Sequence, residues 1–156
     1  MKNPKIMPII SDTYLAVVKN SVGSRVFRNF YAKTGGRKTD ITKNGALSCA
    51  WFVSSILALF QLIERPHLTV DSTVKDLEKS GWKRVKKPKI GSILIWEANL
   101  GKDGWHRHIG FYVGNRQAVS NSTKSGKIAR HHWTFGVKKG KLKRKVEAIF
   151  WNPKFD

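Results

Sequence analysis

The stretch NGALSCAWFVSSILALFQLI, residues 44–63, contains the only cysteine of the chain and its longest uncharged run. Its large apolar residues recur at helical spacing on one side, and they are Phe52, Val53, Ile56, Leu59, Phe60 and Ile63. Arg65-Pro66 follows, and proline ends a helix. The pattern predicts a buried helix from about Ser48 to Glu64, with Cys49 in its first turn.

A membrane span is the alternative interpretation of this run. Residues 46–63 give 18 uncharged residues, which is the lower limit for a helix that crosses a bilayer. The run contains Ser48, Ser54, Ser55 and Gln61, and no second apolar segment of this length follows. A core helix is therefore favoured, and we expect no transmembrane segment.

Length and composition predict one packed domain over residues 1–156, with its core over roughly residues 25–150. A hydrophobic content of 40% and six tryptophans argue against disorder, and a single cysteine excludes an internal disulfide. The opening MKNPKIMPII does not resemble a secretory signal. We therefore expect a chain that is cytoplasmic at synthesis, one exported by a non-signal route, or a mature fragment.

The chain is strongly basic, with 30 Lys and Arg against 10 Asp and Glu, a net charge of +20. The span from Lys79 to Lys145 contains 18 Lys or Arg and two acidic residues, so it carries +16 of this charge. Such a surface is expected to bind polyanions, such as nucleic acid, teichoic acid, acidic lipid or an anionic wall polymer. Charge alone does not choose among them.

The order of predicted elements is helices first and strands later. Apolar stripes and caps predict helices near residues 11–20, 48–64 and 71–80, and residues 31–48 have the composition of a loop. After Pro88 the pattern becomes typical of strands: KIGSILIWEA, then HRHIGFYVGNRQAVSNS as two strands with a turn at Gly114-Asn115, then KIARHHWTFGV and VEAIFWNP. This order predicts an α+β fold with an antiparallel sheet.

Cys49 is a candidate nucleophile because of its position. The free amides and the dipole of a helix N-terminus stabilise a thiolate, so we expect a lowered pKa for this thiol and a fast reaction with alkylating agents. The same amides can bind an oxyanion. A buried structural cysteine is the competing interpretation, since free cysteines are among the most buried residues.

His106 and His108 are the candidate bases, about 60 residues after the cysteine. Strand alternation places both on one face, and a histidine beside a thiol can take its proton and later give it to a leaving amine. A third group must orient the imidazole. Ser120 and Asn121 on the next strand are candidates, and His131 and His132 follow later.

These motifs together resemble the NlpC-type cell-wall cysteine peptidases, relatives of the CHAP amidases. The family's tyrosine-glycine loop and Asp-Cys-Ser-Gly motif correspond to Tyr31, Gly35-Gly36 and the stretch Ser48-Cys49-Ala50. Its Gly-Asp strand resembles residues 91–96, and its His-Val-Gly-Ile-Tyr motif resembles HIGFYVGN, residues 108–115. The Asp before the cysteine and the Ser-Gly after it are replaced here. The resemblance covers roughly residues 25–125.

The resemblance implies a reduced papain-like fold, with the nucleophile helix packed on a C-terminal antiparallel sheet. It also implies Cys49 and His108 as the catalytic pair. The family's third residue corresponds to Ser120, but Asn121 is favoured chemically because its amide oxygen can accept from an imidazole N–H; this needs a bulge after Gln117. Tyr31, with His106 and His132, is expected at the oxyanion site or substrate cleft.

The function that follows from the resemblance is amide hydrolysis in peptidoglycan stem peptides, by a monomer that needs no cofactor and no metal. Three other interpretations stay open. The pairs His106-x-His108 and His131-His132 could ligate zinc in a hydrolase. The basic clusters with Trp82, Trp105 and Trp133 could bind nucleic acid. The chain could also be an inactive member of the fold that only binds glycopeptide.

Overall fold

Residues 3–156 are described by a computed structural model, and this part of the chain forms three α-helices and ten β-strands. The helices are α1 (Ile10–Asn20), α2 (Cys49–Leu59) and α3 (Val70–Lys79). The strands are β1 (Tyr31–Thr34), β2 (Arg37–Asp40), β3 (Lys83–Arg84), β4 (Ile93–Gly101), β5 (Gly104–Gly114), β6 (Gln117–Asn121), β7 (Ile128–His132), β8 (Val137–Lys138), β9 (Lys141–Leu142) and β10 (Val146–Trp151). A short 3-10 helix, Pro153–Phe155, ends the chain. The α+β class predicted from the sequence is confirmed.

The central sheet has six antiparallel strands in the order β3-β10-β4-β5-β6-β7. β5 and β6 form a hairpin whose two turn residues, Asn115 and Arg116, have φ of 51° and 58°. Positive φ at both positions is the hairpin turn that matches the twist of the strands. The turn thus lies one residue later than the predicted Gly114-Asn115.

One face of the sheet is covered by α2, which places Cys49 against β5. Phe52, Val53, Ile56 and Leu57 of this helix are buried in the main core. The ring of Phe52 meets that of Phe111 on β5 edge to face, with centroids 5.4 Å apart. This apolar packing fixes the N-terminus of α2 above the strand that carries His108.

The opposite face is closed by a second, smaller core. Leu94, Trp96, Ala118 and Ile149 are buried there, packed against partly buried side chains that include Trp133 and Phe135. The indole N–H of Trp96 donates to the Trp133 carbonyl at 2.7 Å. His108 is on this face, since it alternates with Ile109 and Phe111, which face α2.

Several predicted boundaries are wrong. α2 ends at Leu59 rather than near Glu64, because Gln61 adopts a φ of 54° and breaks the helical path. α3 begins at Val70 and is capped by Thr69, whose hydroxyl accepts from the Ser72 N–H. Within residues 3–156 no helix combines the length and apolar character needed to span a bilayer.

The predicted loop over residues 31–48 contains a hairpin. β1 and β2 pair across Gly35 and Gly36, which have φ of 57° and 79°. The basic region near residues 137–145 likewise contains the small hairpin β8–β9. Both hairpins are largely exposed and rich in Lys and Arg, so they lack the alternation of apolar residues that identifies a strand in sequence.

We expect Gly110→Ala to lower the stability of the fold. A Cβ on Gly110 would lie 2.8 Å from the Ser120 Cβ and from the Val119 carbonyl, and 3.0 Å from Trp96. Overpacking of this kind costs about 1–3 kcal/mol. The free energy of unfolding, measured by urea denaturation, reports the change.

Gly101→Ala is the matched control for this substitution. Gly101 has an ordinary φ, and a Cβ there would meet only the Gly104 carbonyl at 3.8 Å. Its stability should stay within about 0.5 kcal/mol of the wild type. Equal urea midpoints for the two variants would contradict the packing described for β5 and β6.

Candidate active site

An open cavity of about 1100 Å³ lies where α2 begins beside β4 and β5. Cys49, His106, His108 and Arg144 all line it. A smaller cavity of about 250 Å³ adjoins it and is lined by His108, Ser120, Asn121, His131 and Arg144, among others. The fold therefore brings the candidate nucleophile and base to one cavity, although they are 59 residues apart in sequence.

Asp40 organises the loop that leads into α2. Its carboxylate accepts from the Thr42 hydroxyl at 2.6 Å, from the Asn44 N–H at 2.8 Å and from the Asn29 amide at 2.6 Å. Burial opposes ionisation of Asp40, but these hydrogen bonds outweigh it and hold the pKa of the carboxyl well below its usual range. A charged anchor at Asp40 thus fixes the approach of the chain to Cys49.

The Cys49 thiol is partly buried against β5. Burial raises the pKa of this thiol above its ordinary value, because the thiolate loses hydration. The N–H groups of Ile109 and Ala50 and the guanidinium of Arg144 act in the opposite direction without reversing the shift. The lowered pKa predicted from the helix N-terminus is therefore wrong, since desolvation by the sheet outweighs the helix amides.

His108 is buried, with 4% of its surface exposed, and packs against Trp96 and Phe135 at ring distances of 5.4 and 5.9 Å. Burial lowers the pKa of His108 to about 3, and the charges of Arg144 and His131 act in the same direction. The imidazole is thus neutral at neutral pH, as a base must be. In the described chain no hydrogen bond joins it to the Cys49 thiol, but the N–H of Ile109, the next residue, acts to lower the pKa of that thiol.

Ser120 is the polar side chain of β6 that contacts His108. Its Oγ lies 2.9 Å from Nε2 of His108 and 2.7 Å from Nε2 of His131. The bulge of this hairpin is on β5, between Tyr112 and Gly114, and not after Gln117 as predicted. Gly110 therefore pairs with Ser120, and Ser120 shares the face of His108.

Asn121 is placed on the other face of β6. Its side-chain amide donates to the Gly45 carbonyl at 2.7 Å, and its Oδ1 is buried without a hydrogen-bond partner. No hydrogen bond joins Asn121 to His108 among the described residues. Asn121 therefore ties the loop before α2 to the sheet and does not make the contact expected of an orienting residue.

Of the other predicted cleft residues, the structure places only His106 at the cavity. His106 is exposed, and its Nε2 lies 2.9 Å from the Asp103 carbonyl. Tyr31 is 58% exposed on the β1–β2 hairpin with the Lys38 ammonium 4.5 Å above its ring, and it does not line the cavity. His132 bonds to the Thr134 hydroxyl at 2.9 Å and lines neither cavity, since alternation turns it away from His131.

Arg144 is a residue of this site that the sequence did not single out. Its Nε donates to the Glu97 carbonyl and its Nη2 to the His106 carbonyl, both at 3.0 Å. Among the described residues no carboxylate forms an ion pair with it. In sequence it is one cation within the run from Lys143 to Lys145, and nothing there separates it from its neighbours.

The structure gives little support to the zinc-hydrolase and nucleic-acid-binding interpretations. Within residues 3–156 no group of three or more His, Cys, Asp or Glu side chains is arranged as a metal site. Trp82 is buried, with its indole N–H on the Leu62 carbonyl, and Trp133 packs against Tyr112. Of the three tryptophans proposed to stack on bases, Trp105 alone is exposed, at 69%.

Comparison with solved structures identifies the fold. The structure of NlpC2 from Trichomonas vaginalis superposes with a TM-score of 0.53 and 16% identity, over 93% of this chain and 48% of that one. The peptidoglycan hydrolase RipB from Mycobacterium tuberculosis gives 0.49 and 18%, over 96% of this chain and 71% of that one. The superposition on NlpC2 shows that the chain has an NlpC-type fold, and the chain spans about half the length of NlpC2. No protein-family model matches its sequence, and no curated protein does.

We expect His108→Gln to remove part of the acid sensitivity of the fold. The pKa of His108 is about 3 when folded, against about 6.5 for an unfolded histidine. Between these two pKa values the unfolded chain binds more protons than the folded chain. The stability that the folded chain gains from a neutral, buried His108 is therefore fully present above pH 6.5 and is lost as the pH falls toward 3. Between pH 7 and pH 5 the wild type should lose about 2 kcal/mol more unfolding free energy than the variant. Equal losses in urea denaturation would contradict a buried, neutral His108.

Proposed function

We propose that the protein is a cysteine hydrolase that cleaves an amide bond in peptidoglycan stem peptides by acyl transfer. The observation that carries the proposal is the meeting of Cys49 and His108 at one cavity, at the start of the helix that packs on β5. The NlpC-type fold supports this assignment, and so does the resemblance of residues 108–115 to the histidine motif of the cell-wall peptidases.

The first half of the reaction forms an acyl-enzyme. In the free enzyme the burial shifts favour a neutral thiol beside a neutral imidazole. His108 therefore takes the thiol proton as the sulfur attacks the amide carbonyl, rather than in advance. The backbone N–H of Cys49 belongs to the first turn of α2 and has no intrahelical partner, so it is free to stabilise the oxyanion. His108 then gives the proton to the departing amine.

The second half releases the product. Water enters where the amine has left, and His108 accepts one of its protons while the oxygen attacks the thioester carbonyl. Collapse of the tetrahedral intermediate frees the carboxylic acid and returns the proton to the Cys49 sulfur. Ser120 stays hydrogen-bonded to Nε2 of His108 throughout and keeps the other ring nitrogen available for these transfers.

Arg144 favours a substrate that has carboxylates near the scissile amide, because its guanidinium can bind them. Its guanidinium is held in place by two backbone carbonyls at the cavity wall and is left without an acidic partner among the described residues. Stem peptides carry free carboxylates, which suit such a cation. The basic span from Lys79 to Lys145 would add a salt-sensitive attraction to anionic wall polymers or, non-specifically, to nucleic acid.

The decisive experiment is digestion of purified peptidoglycan followed by mass spectrometry of the released fragments. The wild type should release fragments that differ by cleavage of one stem-peptide amide. Cys49→Ala and His108→Ala should each lower turnover by roughly a thousandfold or more, because nucleophile and base act as a unit. His132→Ala is the matched control and should retain activity, since His132 lies outside both cavities. Full activity of folded Cys49→Ala, or no cleavage of any peptidoglycan type by the wild type, would refute the proposal.

We expect Arg144→Gln to raise KM, because the variant loses the cation that would bind a substrate carboxylate. A charge-assisted hydrogen bond contributes roughly 1.5–3 kcal/mol, so kcat/KM should fall about ten- to a hundredfold. A substrate whose neighbouring carboxylate is amidated should show the same loss with the wild type and no further loss with the variant. Lys143→Gln removes an equal charge from an exposed neighbour and should have little effect. Equal kinetics for Lys143→Gln and Arg144→Gln would contradict a carboxylate site at Arg144.

A further inference from the structure

We propose that His131 is a positioning residue that acts through Ser120 to fix which nitrogen of His108 carries the proton. His131 lies on β7, the strand next to β6, which carries Ser120. It has no direct part in the proposed reaction. Its importance for turnover depends on the proposed function. Its effect on the protonation of His108 does not, and can be observed separately.

The hydrogen bonds that run from His108 through Ser120 to His131 have a direction, and His131 sets it. Nδ1 of His131 lies 2.7 Å from the His132 carbonyl. A carbonyl oxygen can only accept, so Nδ1 of His131 must carry a proton. In a neutral imidazole the other nitrogen then has a lone pair, and Nε2 of His131 accepts from the Ser120 hydroxyl at 2.7 Å.

Ser120 passes this constraint to His108. Its single hydroxyl proton is used toward His131, so its oxygen can only accept from Nε2 of His108, 2.9 Å away. Nε2 of His108 must therefore carry the proton, and Nδ1 keeps the lone pair. Nδ1 makes no hydrogen bond within the described chain, and it is the nitrogen left to accept the thiol proton.

The packing holds His131 in this orientation. Its ring stacks on Phe135 with centroids 4.1 Å apart and planes inclined by 15°, and Trp96 lies 5.7 Å away. Pairing of His131 with Ala118 in the β6–β7 ladder sets the backbone that carries it. Without the acceptor at His131, the Ser120 hydroxyl is free to donate to Nε2 of His108. That arrangement moves the ring proton to Nδ1 and blocks proton transfer from the thiol.

The test is the tautomer of His108, measured by two-bond nitrogen–proton NMR correlation in protein labelled with ¹⁵N-histidine. The wild type should show the proton on Nε2. His131→Phe keeps an aromatic ring against Phe135 but removes the acceptor, so it should shift a measurable fraction of His108 to the Nδ1-protonated form. His131→Gln offers an oxygen near the former Nε2 and should restore the wild-type tautomer.

The kinetics provide the second readout. His131→Phe should lower kcat by roughly ten- to a hundredfold with little change in KM, and His131→Gln should recover most of it. His132→Phe is the control, because it removes a neighbouring imidazole but keeps the backbone carbonyl that accepts the hydrogen bond from Nδ1 of His131. It should change neither tautomer nor kcat. Ser120→Ala removes the hydroxyl that links His131 to His108 and is a smaller change. If His131→Phe does not fold, Ser120→Ala should give the same mixture of His108 tautomers.

The outcomes separate the two proposals. An Nδ1-protonated His108 in the wild type would overturn the inference, as would an unchanged tautomer in both His131→Phe and Ser120→Ala. Absence of any hydrolysis by the wild type would count against the proposed function alone. In that case the NMR comparison would still decide whether His131 controls the protonation of His108.

Discussion

The packing of α2 on β5 is the contact on which the rest of the site depends. Phe52 meets Phe111 edge to face, and the buried apolar side of the helix lies over the strand. This contact fixes the N-terminus of the helix over β5, where the Ile109 N–H acts on the Cys49 thiol. His108 precedes Ile109 on β5 and faces the other side of the strand, and it lines the same cavity as Cys49.

The burial of Cys49 and His108 also determines their protonation states. Desolvation raises the pKa of the thiol and lowers that of the imidazole, so it disfavours both charged forms in the free protein. Arg144 favours the thiolate but opposes the imidazolium, so its charge does not by itself promote proton transfer from Cys49 to His108.

The sequence predicts the parts of this arrangement that follow from strong local patterns. The apolar period of residues 52–57 and the strand-turn-strand pattern of residues 106–121 indicate the helix, the hairpin and the α+β class. The candidacy of Cys49 and His108 follows from their positions near the starts of these elements. The choice of Asn121 over Ser120 does not match the contacts seen, because the position of one bulge decides which of the two shares the face of His108. Arg144 depends on long-range contacts with two backbone carbonyls, which leave no local pattern in sequence.

The single cysteine of the chain makes the central claim directly testable. Methyl methanethiosulfonate adds one small S-methyl group to Cys49, and intact mass spectrometry gives the modified fraction. We expect peptidoglycan cleavage to be lost in proportion to that fraction and to return when dithiothreitol removes the group. Full cleavage activity in completely modified protein would contradict a nucleophilic role for Cys49.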